Sequence, residues 1–144
     1  MAIRVLLADD SVVMRTPILR LLKEEADVEL VGEASGFAET VRLSAALKPD
    51  ILLLDLHMDD EDDYPPPLVR EQLLRSVKCI LAMSVWNDDK AHALAASLGA
   101  NVLLDKANLY STLISAIKHH CTSVQSESIP QVTASRPTME AASA

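Results

Sequence analysis

Several apolar runs in this sequence end in a residue whose side chain can interact with phosphate. Asp9 and Asp10 follow the run IRVLLA, Asp55 follows ILLL, Ser84 closes CILAMS, and Lys106 follows NVLLD. In a parallel α/β sheet the carboxyl ends of adjacent strands meet at one edge, so residues far apart in sequence converge there. The sequence therefore predicts an acidic pocket that also contains a hydroxyl and an ammonium group.

The elements that must position these residues alternate along the chain. Apolar runs rich in Val, Ile and Leu alternate with longer segments of helical period, which is typical of repeated βα units. The run ILLLD is apolar at consecutive positions, as in a strand covered on both faces, and so belongs at the sheet centre. We predict strands near residues 3–8, 28–33, 51–55, 79–84 and 101–105, and helices near residues 12–26, 36–48, 66–77, 88–98 and 108–120.

This pattern predicts an α/β fold of the flavodoxin-like (βα)5 class, a doubly wound sandwich around a five-stranded parallel sheet in the order 2-1-3-4-5. That order puts the first and third strands side by side, so Asp9, Asp10 and Asp55 share one crevice. Like charges at short range raise one another's pKa. Mg²⁺, which prefers one or two carboxylates plus other oxygens and waters, would relieve the crowding.

Asp55 is the candidate nucleophile of this pocket. A carboxylate can accept a phosphoryl group as an acyl phosphate, and catalysis then consists mainly of positioning and of neutralising charge on the transferring oxygens. Lys106 offers a compact positive charge for one phosphoryl oxygen, and the Ser84 hydroxyl can donate a hydrogen bond to another. The pocket therefore has the groups that phosphoryl transfer to a carboxylate requires.

Each of these residues also has a simpler structural explanation. Asp9 and Asp10 are of the type that caps a helix from a loop, and Asp55 of the type that turns the chain after a strand. Lys106 can pair with its neighbour Asp105. Taken singly these explanations are the better ones, whereas the ordered set favours the phosphoryl chemistry.

The helix boundaries carry local signals as well. Ser11 can cap the first helix, Asn87 with Asp88 can cap the fourth, and Gly99 can end the fourth. Pro17 falls inside the first helix, where it removes a backbone donor. We expect that helix to persist with a bend.

Composition limits the function classes. The chain has 144 residues, enough for one domain, and aromatic residues make up only 3% of it, so its core must be aliphatic. Thirteen basic and twenty-one acidic residues give a formal net charge of −8. This average field repels a phosphate backbone and argues against nucleic acid as a direct ligand.

Cysteine usage and the ends of the sequence bear on compartment and domain limits. Cys79 and Cys121 are too few for a disulfide scaffold, which favours a reducing cytoplasm. The first residues lack the pattern of a signal peptide, and no apolar run reaches the ~18 residues of a membrane span. We expect a cytoplasmic domain over residues 1–121, followed by a Ser/Thr/Ala-rich disordered tail at 122–144.

The motifs VLLADDS, ILLLDLHM, ILAMS and LLDK, in this order and spacing, resemble the receiver domain of two-component response regulators over residues 3 to about 120. The resemblance implies that Asp55 is the phosphoacceptor, Ser84 the switch hydroxyl and Lys106 the phosphate-sensing lysine. It makes Asp9 and Asp10 the acidic pair. Asp10, Asp55 and the backbone carbonyl of His57 would hold the Mg²⁺.

The resemblance also implies partners. A sensor histidine kinase or a phosphotransfer protein would donate the phosphoryl group, and an unknown downstream protein would bind a face around the fourth helix and fifth strand. The domain would catalyse only its own phosphorylation and dephosphorylation. A homodimer stays open, and so does a phosphate-independent interaction module that keeps the fold with altered loops.

The loop after Asp55 departs from the family pattern. The family usually reads Met, Pro and a nearby Gly, whereas here Met58 is followed by five acidic residues at 59–63. The simpler interpretation is a solvated loop whose charges avoid each other. The alternative is a surface for a divalent ion or a partner.

Further departures lie around the switch. Leu103 stands at the place of the family's switch aromatic, and Ala107 follows Lys106 where the family typically has a cis proline. His57 and Trp86 occupy the positions that tune hydrolysis in the family, two residues beyond the phosphoacceptor and the switch hydroxyl. Both are bulky, and we expect them to shield the acyl phosphate from water and to slow its loss.

Overall fold

Five βα units follow one another along the chain. The computed structural model describes residues 2–128, with side chains for residues 2–120. The strands are β1 (Ile3–Ala8), β2 (Val28–Ala34), β3 (Ile51–Asp55), β4 (Cys79–Ser84) and β5 (Val102–Asp105). The helices are α1 (Val12–Lys23), α2 (Phe37–Leu47), α3 (Pro66–Leu74), α4 (Asp89–Ser97) and α5 (Leu109–Ser128). Short 3₁₀ turns lie at Glu61–Asp63 and Lys106–Asn108.

The strands form one parallel sheet in the order β2-β1-β3-β4-β5, which confirms the predicted doubly wound topology. Every residue of β3 is buried, as the unbroken apolar run at its position predicts. Asp55 of β3 pairs with Met83 of β4, and Ser84 pairs with Asp105 of β5. This register aligns the strand ends along one edge, where all the candidate site residues lie.

Two apolar cores fill the space between the sheet and its helices. α1 and α5 cover one face, and α2, α3 and α4 cover the other. Among the described side chains, Phe37 is the one fully buried aromatic ring in these cores and Tyr64 packs partly buried against one of them, while the other apolar side chains are aliphatic or sulfur-containing. The predicted aliphatic core is therefore present. Since helices cover both faces, a ligand can approach the sheet only at the ends of its strands, and the candidate residues lie at the carboxyl ends.

The two edge strands are less regular than the inner ones. In the pairing of β1 with β2, Val5 faces Leu30 while the next residue, Leu6, faces Gly32. Val31 is therefore an extra residue, a bulge that interrupts the ladder. At the other edge, β5 has only four residues.

Side chains cap the helices at predicted positions. Ser11 Oγ accepts a hydrogen bond from the Met14 N–H at 3.3 Å at the start of α1. Asp88 Oδ1 accepts one from the Ala91 N–H at 2.9 Å at the start of α4. The predicted caps are thus present, with Asp88 rather than Asn87 as the capping residue of α4.

Helix ends differ from the prediction in several places. α1 and α3 end early, at Lys23 and Leu74, because the chain turns there to enter the next strand. α1 continues through Pro17, as expected, and its bend stays a prediction. α5 runs on to Ser128, past the domain limit predicted at 121, because no Gly or Pro interrupts it before Pro130. The rest of the predicted tail, 129–144, lies outside the described residues.

Within residues 2–128, no helix combines the length and the apolar character that crossing a bilayer requires. Cys79 is buried in β4, in the apolar run where the sequence places it. Cys121 lies outside the described side chains.

Gly99 ends α4 in a backbone conformation that favours glycine. Its φ is +86°, in the left-handed region. Its N–H donates to the Ala96 carbonyl, and the Ala100 N–H donates to the Ala95 carbonyl, each at 3.0 Å. These two bonds form a Schellman motif, which satisfies carbonyls at the end of the helix.

We expect Gly99→Ala to destabilise the protein by about 1–2 kcal/mol, because a Cβ atom is strained in this conformation. Gly99→Asn should lose less of the unfolding free energy than Gly99→Ala, since Asn tolerates the left-handed region better than Ala does. Urea unfolding of the two variants and the wild type measures the difference. Equal losses for Ala and Asn would contradict the conformational explanation.

Candidate functional site

A buried lysine lies between two carboxylates at the carboxyl edge of the sheet. Lys106 Nζ is 2.8 Å from Asp9 Oδ2 and 3.3 Å from Asp55 Oδ1. The Lys106 side chain is only 7% exposed, and that of Asp9 is fully buried. The three residues follow or end β1, β3 and β5, so the strand order brings them together as predicted from the sequence.

Asp9 is the most constrained member of this group. Its Oδ1 accepts a hydrogen bond from the Ser11 N–H at 2.9 Å, and its Oδ2 accepts one from Lys106. Its own N–H donates to the Ala34 carbonyl of β2 at 3.0 Å. Both carboxylate oxygens are therefore used to hold Lys106 and the start of the loop that leads to α1.

Asp55 carries the surplus negative charge. The pKa of its carboxyl is raised from 3.8 to about 6, mainly by burial and also by the charge of Asp9, although Lys106 and the His57 backbone N–H oppose the shift. Burial alone would lower the pKa of Lys106, but its bonds to Asp9 and its attraction to Asp55 raise that pKa. Lys106 therefore stays charged, whereas Asp55 is held in a place that disfavours its charged form.

Asp10 joins the group from the loop after β1. Its Oδ2 accepts a hydrogen bond from the Asp59 N–H at 2.9 Å. Burial raises the pKa of Asp10, and so do the negative charges of Asp59 and Asp9, while the hydrogen bond from the Asp59 backbone lowers it. A nearby cation would favour the charged form of both Asp10 and Asp55.

The carboxylate oxygens of Asp9, Asp10 and Asp55 fit a divalent cation. One oxygen from each residue lies within 4.8 Å of the other two. Carboxylate oxygens are the hard ligands that Mg²⁺ prefers, and a single ammonium leaves the three carboxyl groups with excess negative charge. Because the oxygens of Asp9 are already engaged, Asp10 and Asp55 are the best placed to bind the ion. The His57 carbonyl stays a predicted ligand.

Ser84 is buried at the end of β4, beside β5. Its Oγ accepts a hydrogen bond from the Trp86 N–H at 2.9 Å, which leaves the hydroxyl proton available to donate. Leu103, at the place of the predicted switch aromatic, packs against the core on the α2–α4 side. The hydroxyl is thus connected by its backbone partner to the segment that leads into α4.

The alternative in which Lys106 pairs with its neighbour is wrong. The Asp105 carboxylate instead accepts the Ala107 N–H at 2.9 Å and caps the 3₁₀ turn that follows β5. In the part of the chain that the structure describes, the ion pairs of Lys106 are with Asp9 and Asp55. Lys106 therefore points into the acidic pocket despite Ala107 in place of a proline.

The acidic loop is more structured than a solvated loop of like charges. Asp60 accepts hydrogen bonds from the N–H groups of Phe37 at 2.8 Å and Ala38 at 3.1 Å, and so caps α2. Glu61 Oε1 lies 3.2 Å from His57 Nδ1. The role of Asp60 was not predicted from the sequence. One feature of the sequence could have indicated it: Gly36 stands at the N-cap of α2 and has no side chain to cap the helix, so another residue must do so.

His57 and Trp86 lie beside each other on the loops that follow β3 and β4. Their ring centroids are 5.7 Å apart and the rings are perpendicular. Trp86 is 58% exposed. With Lys90 and Leu94 of α4, the two rings line a cavity of about 280 Å³. The two rings therefore join the loop after β3 to the loop after β4 by an edge-to-face contact.

Comparison with known proteins finds a matching family and similar sequences. The family model described as "Response regulator receiver domain" matches residues 5–118. The transcriptional regulatory protein LiaR of Bacillus subtilis (strain 168) is 36% identical over 118 residues, which is 81% of this chain and 54% of LiaR. The response regulator protein VraR of Staphylococcus aureus (strain NCTC 8325) is 33% identical over 104 residues, which is 72% of this chain and 50% of VraR. This chain thus spans about half the length of these relatives.

Solved structures share the fold. The signal receiver domain of the putative response regulator NarL from Mycobacterium tuberculosis superposes with a TM-score of 0.73 at 23% identity, covering 84% of this chain and 97% of that domain. A CheY-like receiver domain protein from Methanospirillum hungatei has a TM-score of 0.70 at 17% identity, and the superposition covers 88% of this chain and 99% of that protein's chain. At these identities the likeness concerns the fold, which the prediction of a flavodoxin-like sandwich matches.

The raised pKa of Asp55 predicts how stability depends on pH. The carboxyl titrates near 3.8 when unperturbed and near 6 in the folded, metal-free protein, so the folded state binds this proton more tightly. The stabilising contribution of that proton is complete below about pH 4 and is lost as the pH rises to about 6. We expect the unfolding free energy of the wild type, relative to Asp55→Asn, to fall across this window.

Urea unfolding of both proteins without divalent ions, at a series of pH values, measures this difference. Asp55→Asn serves as the reference because it lacks the titrating carboxyl and keeps the other acidic groups. The same pH slope in both proteins would contradict the raised pKa.

Proposed function

This chain belongs to the response regulator receiver domain family of two-component systems, and we propose that it is switched by phosphorylation of Asp55 in the presence of Mg²⁺. The observation that carries the proposal is the buried Lys106 ammonium between Asp9 and Asp55, with Asp10 beside them. A histidine kinase or a phosphotransfer protein donates the phosphoryl group, and the domain works in the cytoplasm. Its role is that of a signalling protein with no external substrate.

The proposed transfer uses a carboxylate oxygen of Asp55 as the nucleophile. That oxygen attacks the phosphorus, the new P–O bond forms, and the bond from phosphorus to the leaving group breaks. The leaving group keeps the electron pair of the broken bond; acetate leaves as the anion, and a more basic leaving group such as an imidazole nitrogen takes a proton from water. The proposed Mg²⁺ ligands are Asp10, Asp55 and the His57 carbonyl, while Asp9, the third acidic residue predicted for the metal site, adds negative charge and holds Lys106. The ion would supply neutralisation of charge on the phosphoryl oxygens.

Lys106 and Ser84 respond to the new group in this proposal. Phosphorylation changes Asp55 Oδ1, the weaker of the two partners of Lys106, from a carboxylate oxygen to part of an acyl phosphate. The ammonium then has a phosphoryl oxygen to bind, and its contact with Asp9 keeps it in place. The Ser84 hydroxyl donates to another phosphoryl oxygen.

The signal leaves the site through the loop between β4 and α4. Ser84 Oγ is bonded to the Trp86 N–H in the unphosphorylated protein, so a rotation of Ser84 toward the phosphoryl group breaks that bond. Leu103 has no ring to rotate, so the change passes through backbone and packing. The output is a changed binding face at α4 and β5 for a protein partner. Direct nucleic-acid binding is disfavoured for a chain with a net charge of −8.

We expect the protein to gain one phosphoryl mass when it is incubated with acetyl phosphate and Mg²⁺. The gain should disappear in Asp55→Asn, which keeps the shape of the side chain without the nucleophile, and it should disappear when Mg²⁺ is chelated. Intact-mass spectrometry measures the adduct. No adduct on a folded wild type would favour a phosphate-independent interaction module.

We expect the acyl phosphate to be lost faster in Trp86→Ala and Trp86→Glu than in the wild type. The ring of Trp86 contacts that of His57, two residues beyond the proposed phosphoacceptor, so its removal should admit water to the phosphoryl group. Trp86→Phe keeps an aromatic ring and is the matched control, with a decay rate near that of the wild type. The decay of the phosphorylated species by mass spectrometry gives the rates, and unchanged decay in the Ala and Glu variants would reject shielding.

A further inference from the structure

The Asp59 N–H connects the loop after β3 to the acidic pocket. It donates to Asp10 Oδ2 at 2.9 Å across 49 residues of sequence. Asp59 itself is exposed, and its carboxyl group raises the pKa of Asp10 through its charge and a side-chain hydrogen bond, whereas its backbone N–H lowers that pKa. The contribution that favours a charged Asp10 therefore comes from the backbone N–H, which a proline at the same position would not offer.

This bond fixes the orientation of the Asp10 carboxylate. Among the described residues, Oδ2 is the one oxygen of Asp10 that accepts a hydrogen bond from an N–H group. Oδ1 is therefore free to bind a cation while Oδ2 is held from outside the cation site. In metal sites, such outer partners orient the ligand and reduce the cost of immobilising it on binding.

Asp60 anchors the same loop to α2. Its two carboxylate oxygens accept the N–H groups of Phe37 and Ala38, at 2.8 and 3.1 Å. Phe37 is buried in the core, so the anchor is a fixed point rather than a flexible surface. The approach requires Gly36, because a Cβ atom there would lie 2.9 Å from Asp60 Oδ2.

We propose that Asp59 and Asp60 are positioning residues for the Mg²⁺ ligand Asp10. The N-terminus of α2 holds the Asp60 carboxylate, Asp60 fixes the loop, and the Asp59 N–H holds the Asp10 carboxylate in the orientation that binds the ion. This inference rests on the proposed Mg²⁺ site and assigns part of its affinity to residues that do not touch the ion. It gives the acidic run a role that depends on individual contacts rather than on total charge.

The neighbouring acids offer matched controls. Asp62 is exposed and has no hydrogen bond or ion pair among the described residues. Asp62→Ala therefore removes the same charge as Asp60→Ala without removing a contact. At position 59, Asn removes the charge and keeps the N–H, whereas Pro removes both. The comparison of Asp59→Pro with Asp59→Asn isolates the hydrogen bond.

Isothermal titration with Mg²⁺ of the full, unphosphorylated chain tests the proposal. We expect Asp59→Pro to bind Mg²⁺ about tenfold more weakly than Asp59→Asn. We also expect Asp60→Ala to bind it more weakly than Asp62→Ala. Circular dichroism and the melting temperature without Mg²⁺ establish that each variant is folded at the temperature of titration.

Equal affinities within both pairs would overturn the proposal and leave the proposed phosphorylation intact. If Asp59→Pro binds Mg²⁺ more weakly than Asp59→Asn does, but Asp60→Ala and Asp62→Ala bind it with equal affinity, the proposed role of Asp60 would be overturned. If Asp59→Pro does not fold, the comparison of the Mg²⁺ affinities of Asp60→Ala and Asp62→Ala tests the proposal. A folded wild type that binds no Mg²⁺ would overturn the proposed metal site itself, and this inference with it.

Discussion

The contact of one buried ammonium with two carboxylates is the interaction on which the rest of this structure depends. Lys106 neutralises the fully buried Asp9, and Asp55 remains with a charge that its surroundings disfavour. A buried charge without a partner is costly, and a buried pair stabilises a protein only when its geometry and hydrogen bonds are good. Asp9 has an ion pair with good geometry and hydrogen bonds to both of its oxygens, whereas Asp55 has a longer contact with the same ammonium. Asp55, whose charge is poorly compensated, is also the residue that we propose as the Mg²⁺ ligand and phosphoacceptor.

Delivering these groups to one place requires the whole sheet. Asp9, Asp55 and Lys106 belong to three different strand ends, and the order β2-β1-β3-β4-β5 is what brings them within reach of one another. Two sets of contacts lead outward from there. One passes from Ser84 to the Trp86 backbone and toward α4, and the other passes from Asp10 through the acidic loop to α2. The site is therefore connected to helices on the same face of the sheet by hydrogen bonds of individual residues.

The sequence was informative where structure is local or periodic. The apolar runs located every strand, and the consecutive burial of β3 followed from ILLLD. Convergence of Asp9, Asp55 and Lys106 followed from strand order, which βα repeats largely determine. The partner of Lys106 was left open between Asp105 and the pocket, because the direction of a side chain after a strand is not visible in its neighbours.

The capping of α2 by Asp60 could not be predicted from a local or periodic pattern. Its partners, Phe37 and Ala38, are 23 and 22 residues away, and no short-range pattern links an acid in one loop to the start of an earlier helix. The extension of α5 to Ser128 was missed for a different reason. Composition suggested a tail, yet Ser and Gln only weakly oppose helix, and a helix already packed along its first turns continues through them.

The irregular edge strands have a consequence for how the protein behaves in a crowded solution. An edge strand offers unpaired N–H and C=O groups that can pair with another chain, and this is a route to aggregation. Here the bulge at Val31 interrupts one edge, with the exposed acids Glu29 and Glu33 on the same strand, and the other edge is only four residues long. The sheet is therefore a poor template for the addition of foreign strands, which favours recognition through side chains and loops over backbone pairing.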